Sequence, residues 1–255
     1  MASELSALLP DGLPPGRLIG ATADAPLYWL SDDPVDAELY RRLVADHPRT
    51  GLWPVLAEFL EYDAKRPWDD PSELTPGPVT AIDAQSPAEV LQSFWSELLP
   101  DDEDLEEYTE SLEPFGLTSP GLAGPGASAG SPDEFACWLA ADEPPARLLL
   151  AKANRSADLP AVVGWNGPLN HSNDIAPLLT TLRSWEDRFG VRVVKLGFDT
   201  LDLSVAAPPT SEEHALHVAA EHWAFCPDTI ELSPGALREY AADIQNANSW
   251  SFWWD

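Results

Sequence analysis

A histidine and a cysteine lie four positions apart near the end of the sequence, at the spacing of neighbouring side chains on a helix surface. An imidazole beside a thiol can stabilise the thiolate, so His222 and Cys226 are a candidate nucleophilic pair. Asp228 can orient an imidazole, and His171 is a further candidate for the same site. The alternative, which we favour, is that Cys226 packs as a small apolar side chain while His222 bonds to the backbone.

A second group of polar side chains shares one arc of the same predicted helix. His214, His217 and Glu221 fall close together around the helix axis, and two imidazoles with a carboxylate can chelate a metal. The spacing is not that of an HExxH motif, and Leu216 and Trp223 mark the opposite face as the buried one. We therefore expect these three side chains to face solvent, and we predict neither a metal nor a cofactor.

A polar loop over residues 165–174 leaves one predicted element and enters a predicted helix, which is where α/β folds tend to place ligands. Its candidate binding residues are Asn166, Asn170, His171, Asn173 and Asp174. The alternative, which we favour, is that Asn173 or Asp174 caps the helix and that the other side chains hold the turns of the loop.

The last residues of the sequence are rich in aromatic side chains. Alternation along a strand sends Trp250, Phe252 and Trp254 to one face, which we expect to be core, and Trp253 to the other. Trp253 is then either an exposed binding residue or a side chain packed under a neighbouring element, and both interpretations stay open.

The elements that position these residues form a regular order from residue 147 onward. The predicted strands are residues 147–153, 159–165, 191–196, 201–205 and 250–254, and the predicted helices are residues 174–189, 211–225 and 234–246. This order predicts an α+β module with a mixed or mainly antiparallel sheet and with helices packed on one of its faces.

Several motifs in this order carry a resemblance to a known family. They are GWNGPLNHSND (164–174), VVKLGFDTLDLSVA (193–206), EHWAFCPD (221–228) and WSFWWD (250–255). Residues 147–255 resemble the uncharacterised bacterial domain-of-unknown-function family numbered 4253. The run RTGLWPVL (49–56) is similar to a segment found upstream in such proteins. The resemblance implies a domain but no activity, since it brings no catalytic residues.

The preceding residues carry weaker signals. The predicted strands there are residues 17–21 and 26–30, and the predicted helices are residues 35–46, 86–99 and 101–113. The run 51–60 is apolar, but Pro54 leaves helix and strand both open. Residues 116–132 have the Gly, Pro and Ser content of a flexible linker. We predict an acidic N-terminal α/β region over residues 1–115, this linker, and a C-terminal α+β module over residues 133–255.

The charge is large and unevenly placed. The formal net charge is −29 at pH 7, and residues 1–150 hold 29 acidic side chains against 7 basic ones. No Lys, Arg or His occurs from Pro67 to Ala146. Such a field repels nucleic acid and anionic membranes and attracts a basic partner, although acidity also keeps a protein soluble without any partner.

Other sequence features narrow the class of protein. No apolar run is long enough to span a bilayer, and the N-terminus lacks the basic region of a secretory signal. Cys137 and Cys226 form no CxxC pattern, so we predict reduced thiols in a cytoplasmic protein. P-loop, GxGxxG and GxSxG motifs are missing from the sequence.

Two functions fit these observations. The leading hypothesis is a non-enzymatic, acidic cytoplasmic interaction protein that binds a basic protein partner, as immunity or regulatory proteins do. The alternative is a small hydrolase or transferase whose site joins His171, His222, Cys226 and Asp228. The interaction-protein hypothesis predicts that the partner is neither a nucleic acid nor a membrane. The sequence leaves the oligomeric state open.

Overall fold

The computed structural model describes residues 4–20, 25–100, 105–170 and 174–255. The strands are β1 Gly16–Ile19, β2 Tyr28–Ser31, β3 Leu52–Ala57, β4 Arg147–Lys152, β5 Val191–Leu196, β6 Thr200–Val205 and β7 Ser249–Trp253. The α-helices are α1 Glu4–Leu8, α2 Ala37–Thr50, α3 Pro87–Leu98, α4 Leu105–Ser111, α5 Pro132–Asp142, α6 Leu159–Val163, α7 Ala176–Phe189, α8 Glu212–Phe225 and α9 Ala236–Ile244. Short 3-10 turns cover Pro71–Glu73, Val79–Ala84, Ser156–Asp158, Gly167–Asn170 and Pro227–Thr229.

The strands form one seven-stranded sheet in the order β1-β2-β4-β3-β5-β6-β7. Every neighbouring pair is antiparallel except β3 and β5, which are parallel. The predicted α+β class with a mixed or mainly antiparallel sheet is therefore confirmed.

Strand β3 lies at the centre of this sheet although it contains a proline. Its parallel pairing with β5 is limited to Leu56 and Ala57, which follow Pro54 in the strand. Pro54 has no N–H to donate, but it lies outside these paired residues, so it interrupts no hydrogen bond of that ladder. Nearer Pro54, the Trp53 indole donates a hydrogen bond to the Val193 carbonyl of β5 at 3.1 Å. The Trp53 side chain thus supplies part of the pairing between β3 and β5. The sequence left this segment open between helix and strand, and the structure shows that it is a buried strand.

Helices cover both faces of the sheet. On one face, Trp185 of α7 packs against Trp250 and Phe252 of β7, with ring centroids 5.6 and 5.4 Å apart. Ser251, which points to the other face of β7, bonds to Asp202, and Lys195 links that carboxylate to Glu143 at the end of α5. The prediction of helices on one face only was wrong, because the sheet offers ionic partners to α5 on its second face.

Residues 159–165 were predicted as a strand, and the structure corrects this prediction. The run forms the short helix α6 after a 3-10 turn, with Pro160 in its first turn, where the missing N–H costs nothing. Gly164 ends the helix in the left-handed conformation, with φ 77°. A buried apolar run of this length has no polar alternation to separate helix from strand, which explains the error.

Strands from both sides of the predicted linker share this sheet. β1, β2 and β3 precede residues 116–132 in sequence, and β4 to β7 follow them. The segment itself lies on the part of the chain that follows it, since the Gly126 N–H donates to the Arg188 carbonyl at 3.0 Å. A Cβ at Gly126 would come within 1.8 Å of the Ala207 carbonyl oxygen, so only glycine allows this approach.

Among the described residues, the helices are too short or too polar to cross a membrane.

Candidate functional site

Helix α8 carries four of the candidate residues, His214, His217, Glu221 and His222, and is buried on nearly every side. Its first turn is capped by the Ser211 side chain, which accepts from the His214 N–H. Residues from α3, α7 and α9 and from the segment around Ala123 surround the helix. The expectation that Glu221 faces solvent was wrong, since this residue is 2% exposed. The covering residues lie far away in sequence, so the periodicity of α8 alone could not reveal them.

The three side chains predicted to share one arc have separate partners. The His214 imidazole lies 2.8 Å from the Gly124 carbonyl oxygen, and His217 bonds to the Glu213 carbonyl one turn earlier at 2.9 Å. Glu221 is held by an arginine instead. Within the described residues, no group of three or more His, Cys, Asp or Glu side chains could hold a metal ion.

The arginine that holds Glu221 is Arg188 of α7. Its Nη1 and Nη2 donate to the two carboxylate oxygens at 2.7 and 2.6 Å. The same carboxylate accepts from the Trp185 indole at 2.7 Å and from the Ala123 N–H at 2.6 Å. A buried charge is tolerated when its lone pairs are filled in this way. No sequence pattern connects these residues, so sequence reasoning missed the pair.

His222 lies beside this pair in an aromatic box. Its Nδ1 is 2.9 Å from the Tyr240 hydroxyl, and the ring packs edge-on against Trp185, Trp250 and Phe252. Among the described residues its Nε2 has no hydrogen-bond partner. Burial, followed by the nearby Arg188 charge, holds the pKa of His222 well below 6.5. The imidazole is therefore neutral at pH 7.

Cys226 is buried at the end of α8, where its backbone N–H donates to the His222 carbonyl at 2.8 Å, but its thiol is bonded to residues other than His222. Its Sγ donates to the Trp253 carbonyl at 3.0 Å and accepts from the Thr229 hydroxyl at 3.2 Å. Burial raises the pKa of the thiol to about 12, although the hydrogen bonds from Thr229 act against this shift. A thiol of this pKa is protonated at pH 7, so the contacts favour packing over nucleophilic catalysis.

Of the two remaining candidates for that site, Asp228 is among the described residues and His171 is not. Asp228 accepts a hydrogen bond from the Asp255 N–H at 3.0 Å and so ties the last residue to the turn after α8. His171 lies outside the described residues. The structure thus brings His222, Cys226 and Asp228 to one end of α8, with each bonded to structural partners.

In the candidate binding loop after α6, the side chains of Asn166 and Asp174 bond to nearby backbone groups. Asn166 donates to the Glu73 carbonyl at 2.7 Å and so holds the turn over residues 71–73 against this loop. Asp174 accepts from the Ala176 N–H at 3.0 Å, at the start of α7. Asn170 ends a 3-10 turn, while His171 and Asn173 lie outside the described residues.

The closing strand leaves one tryptophan exposed and one buried beside a groove. Trp253 is 47% exposed, and Trp254 is 1% exposed. Trp254 packs on Trp165 and Phe225, and among the described residues its indole N–H has no hydrogen-bond partner. It borders a cavity of about 250 Å³, which we call the α3 groove. The lining residues of the α3 groove are Phe94, Glu97, Leu98, Leu178, Ala224, Phe225, Pro227 and Trp254.

The motifs that suggested a family lie in the second half of this fold. Residues 147–255 match the model of a family described as a domain of unknown function (DUF4253). The predicted resemblance is confirmed over these residues. No curated protein and no solved structure matches the chain.

The DUF4253 region contains β4 to β7 and α6 to α9. It therefore supplies both strands that border β3 but not β3 itself. The region also supplies Leu178, Phe225 and Trp254 to the α3 groove, whereas Phe94 and Leu98 come from α3 outside it.

The neutral state of His222 predicts a pH dependence of stability. The unfolded chain binds a proton on this histidine below about pH 6.5, whereas the folded protein does not, so the free energy of unfolding falls as the pH drops. One such proton contributes a slope of about 1.4 kcal/mol per pH unit. We expect the free energy of unfolding, measured with urea between pH 8 and pH 5, to depend less steeply on pH in H222F/Y240F than in the natural chain. This variant removes the imidazole and the hydroxyl that bond to each other, so neither is left without its partner. Equal slopes in the variant and the natural chain would contradict this assignment.

Proposed function

We propose that this protein is a non-enzymatic, acidic cytoplasmic protein that binds a basic protein partner, in the manner of a bacterial immunity or regulatory protein. The observation that carries the proposal is the pairing of its few cations. Among the described residues, twelve of the fourteen Lys and Arg side chains form ion pairs with carboxylates of the same chain.

A further arginine is occupied as well. Arg42 donates to the carbonyls of Asp11 and Gly12. Thirteen of the fourteen Lys and Arg side chains are thus bonded within the fold, and the acidic excess is left at the surface. A surface of this kind raises the association rate of a positively charged protein and repels polyanions.

The acidic surface is most uniform on α3 and α4. The exposed carboxylates there include Glu89, Glu97, Glu106 and Glu110, and both helices lie in the stretch without Lys, Arg or His. Charges of one sign without interspersed opposite charges add to one another within a Debye length of about 8 Å at physiological salt. We therefore place the contact with the partner on this side of the molecule.

The hydrolase or transferase alternative has less support from the site. Its nucleophile would be Cys226, whose thiol is buried, bonded to Trp253 and Thr229, and protonated at pH 7 because its pKa is raised to about 12. Its base would be His222, which bonds to Tyr240. These contacts fill the positions that a substrate and its proton transfers would need.

The proposal predicts capture of a basic protein that depends on the acids of α3 and α4. The test variant E89Q/E97Q/E106Q/E110Q and the control E213Q/E231Q/E239Q/D243N each remove four exposed acidic charges. We expect the natural chain, immobilised in a lysate of the encoding organism, to retain a protein of positive net charge that elutes as salt is raised. The control should retain it and the test variant should lose it, as identified by mass spectrometry.

Two outcomes of this capture would contradict the proposal. One is a retained protein of negative net charge, and the other is retention that is independent of salt, because association by opposite charge weakens as salt screens it. Equal loss in both variants would also contradict the placement on α3 and α4, since it would reflect net charge alone.

A further inference from the structure

We propose that the α3 groove is the docking site of a basic amphipathic helix from the partner protein. This inference rests on the proposed function and specifies where and by what chemistry the partner binds. It draws on three features of the groove, which are its apolar floor, its acidic rim and its size.

The floor of the α3 groove is apolar and comes from both halves of the chain. Phe94 and Leu98 lie one turn apart on α3, while Leu178 lies in the first turn of α7 and Phe225 ends α8. Phe94 and Leu98 are only half-buried, whereas helix residues with full tertiary cover, such as Leu91 and Trp95 of α3, are buried. An apolar strip of this kind accepts the i, i+3, i+4 face of a second helix.

The rim of the groove is acidic, and its lining contains no basic residue. Glu97 lines it directly, and Asp228 and Asp255 follow the lining residues Pro227 and Trp254 in sequence. The acidic run of residues 101–104, which follows α3, lies outside the described residues. An apolar floor with a rim of one charge sign complements a helix with leucine-type residues on one face and Lys or Arg beside them.

The size of the groove favours one anchoring side chain over a small molecule. Its volume of about 250 Å³ is below the range of about 300–1,000 Å³ that is usual for small-ligand pockets. Hot spots of protein interfaces are commonly single large side chains in pockets of this kind.

The test uses a defined peptide and the full chain. The probe is a fluorescein-labelled helix of about 18 residues, made of Leu and Lys with the leucines along one face. A second peptide has the same composition in scrambled order, so it keeps the charge but loses the apolar face. We expect fluorescence anisotropy to give at least about tenfold tighter binding of the amphipathic peptide, weakening between about 50 and 200 mM salt.

A groove-filling variant locates the binding. Ala224 lines the groove and is buried, so A224L places three further carbon atoms in the cavity. The control A242L makes the same change on the exposed side of α9. We expect A224L to weaken binding of the amphipathic peptide by about tenfold or more and A242L to leave it unchanged. Thermal unfolding of each variant checks that the fold is kept.

The outcomes separate this inference from the proposed function. Equal salt-dependent binding of the two peptides, undisturbed by A224L, would overturn the groove as the site while leaving an acidic surface that binds basic partners. No binding of the amphipathic peptide at low salt would also overturn the groove, and the capture experiment would still decide the broader proposal. If A224L unfolds, the half-buried position Leu98 offers L98Q, which should weaken amphipathic binding without filling the cavity.

Discussion

Residues 133–255 expressed without the preceding chain are expected to lose cooperative folding. In the structure, β3 separates β4 from β5, and its removal exposes the inner edges of two strands at once. Leu149 and Leu150 of β4 and Val193 of β5 are fully buried in the complete sheet. Each fully buried aliphatic side chain contributes about 1.5–3 kcal/mol, so the loss of β3 and its contacts is comparable with a total stability of about 5–15 kcal/mol.

The measurement compares three chains by circular dichroism, urea unfolding and two-dimensional NMR. They are residues 133–255, the shorter family-matched piece 147–255, and the full chain. We expect dispersed amide signals and a cooperative transition for the full chain alone. A well-dispersed spectrum from residues 133–255 as a monomer would contradict the central role of β3.

A nicked protein supplies the matched control. Gly121 is kept because its left-handed backbone favours glycine, and a protease site is inserted directly after it, since no atom lies within 4 Å of the position of its missing Cβ. After cleavage, the two pieces are expected to stay together through size-exclusion chromatography, since each holds strands that the other needs. Separation of the pieces into folded halves would instead show that the two regions have independent cores.

The sequence predicted the elements well where the apolar pattern was long and its limits were marked. The helix over residues 174–189 has apolar residues at helical spacing and ends at Gly190, and the structure places α7 there. The short run 159–165 had no such pattern, and it was misassigned. Local pattern gave no information about neighbours in the sheet, so the position of β3 between β4 and β5 could not be predicted.

The candidate site was harder to predict than the fold, for a physical reason. Residue types and spacing correctly placed His222 on a helix and Cys226 directly after its end, but bonding to Tyr240 and Trp253 depends on residues more than a helix turn away. The pairing of Glu221 with Arg188 joins α8 to α7 and was likewise hidden. The α3 groove also escaped prediction, because it forms only when α3 packs beside α7 and α8.

Removal of the Glu221 carboxylate is expected to cause the second large loss of stability. E221A leaves the Arg188 charge, which is 13% exposed, without its partner, and it leaves the Trp185 and Ala123 N–H groups without an acceptor. Breaking a buried ion pair from one side costs about 3–5 kcal/mol. Urea unfolding of E221A should show this loss, whereas E213A, at an exposed position of the same helix, should stay within about 0.5 kcal/mol of the natural chain.

A double variant separates the pair from its surroundings. R188M/E221Q removes both charges and keeps an acceptor near Trp185, so we expect it to be more stable than the sum of the R188M and E221Q losses implies. Because Ala123 bonds to both members of the pair, E221A should also speed proteolysis of the segment over residues 119–124. An E221A protein that unfolds within about 1 kcal/mol of the natural chain would mean that the ion pair is structurally dispensable. In that case the apolar contacts of α8 alone would be sufficient to hold the helix in its buried position.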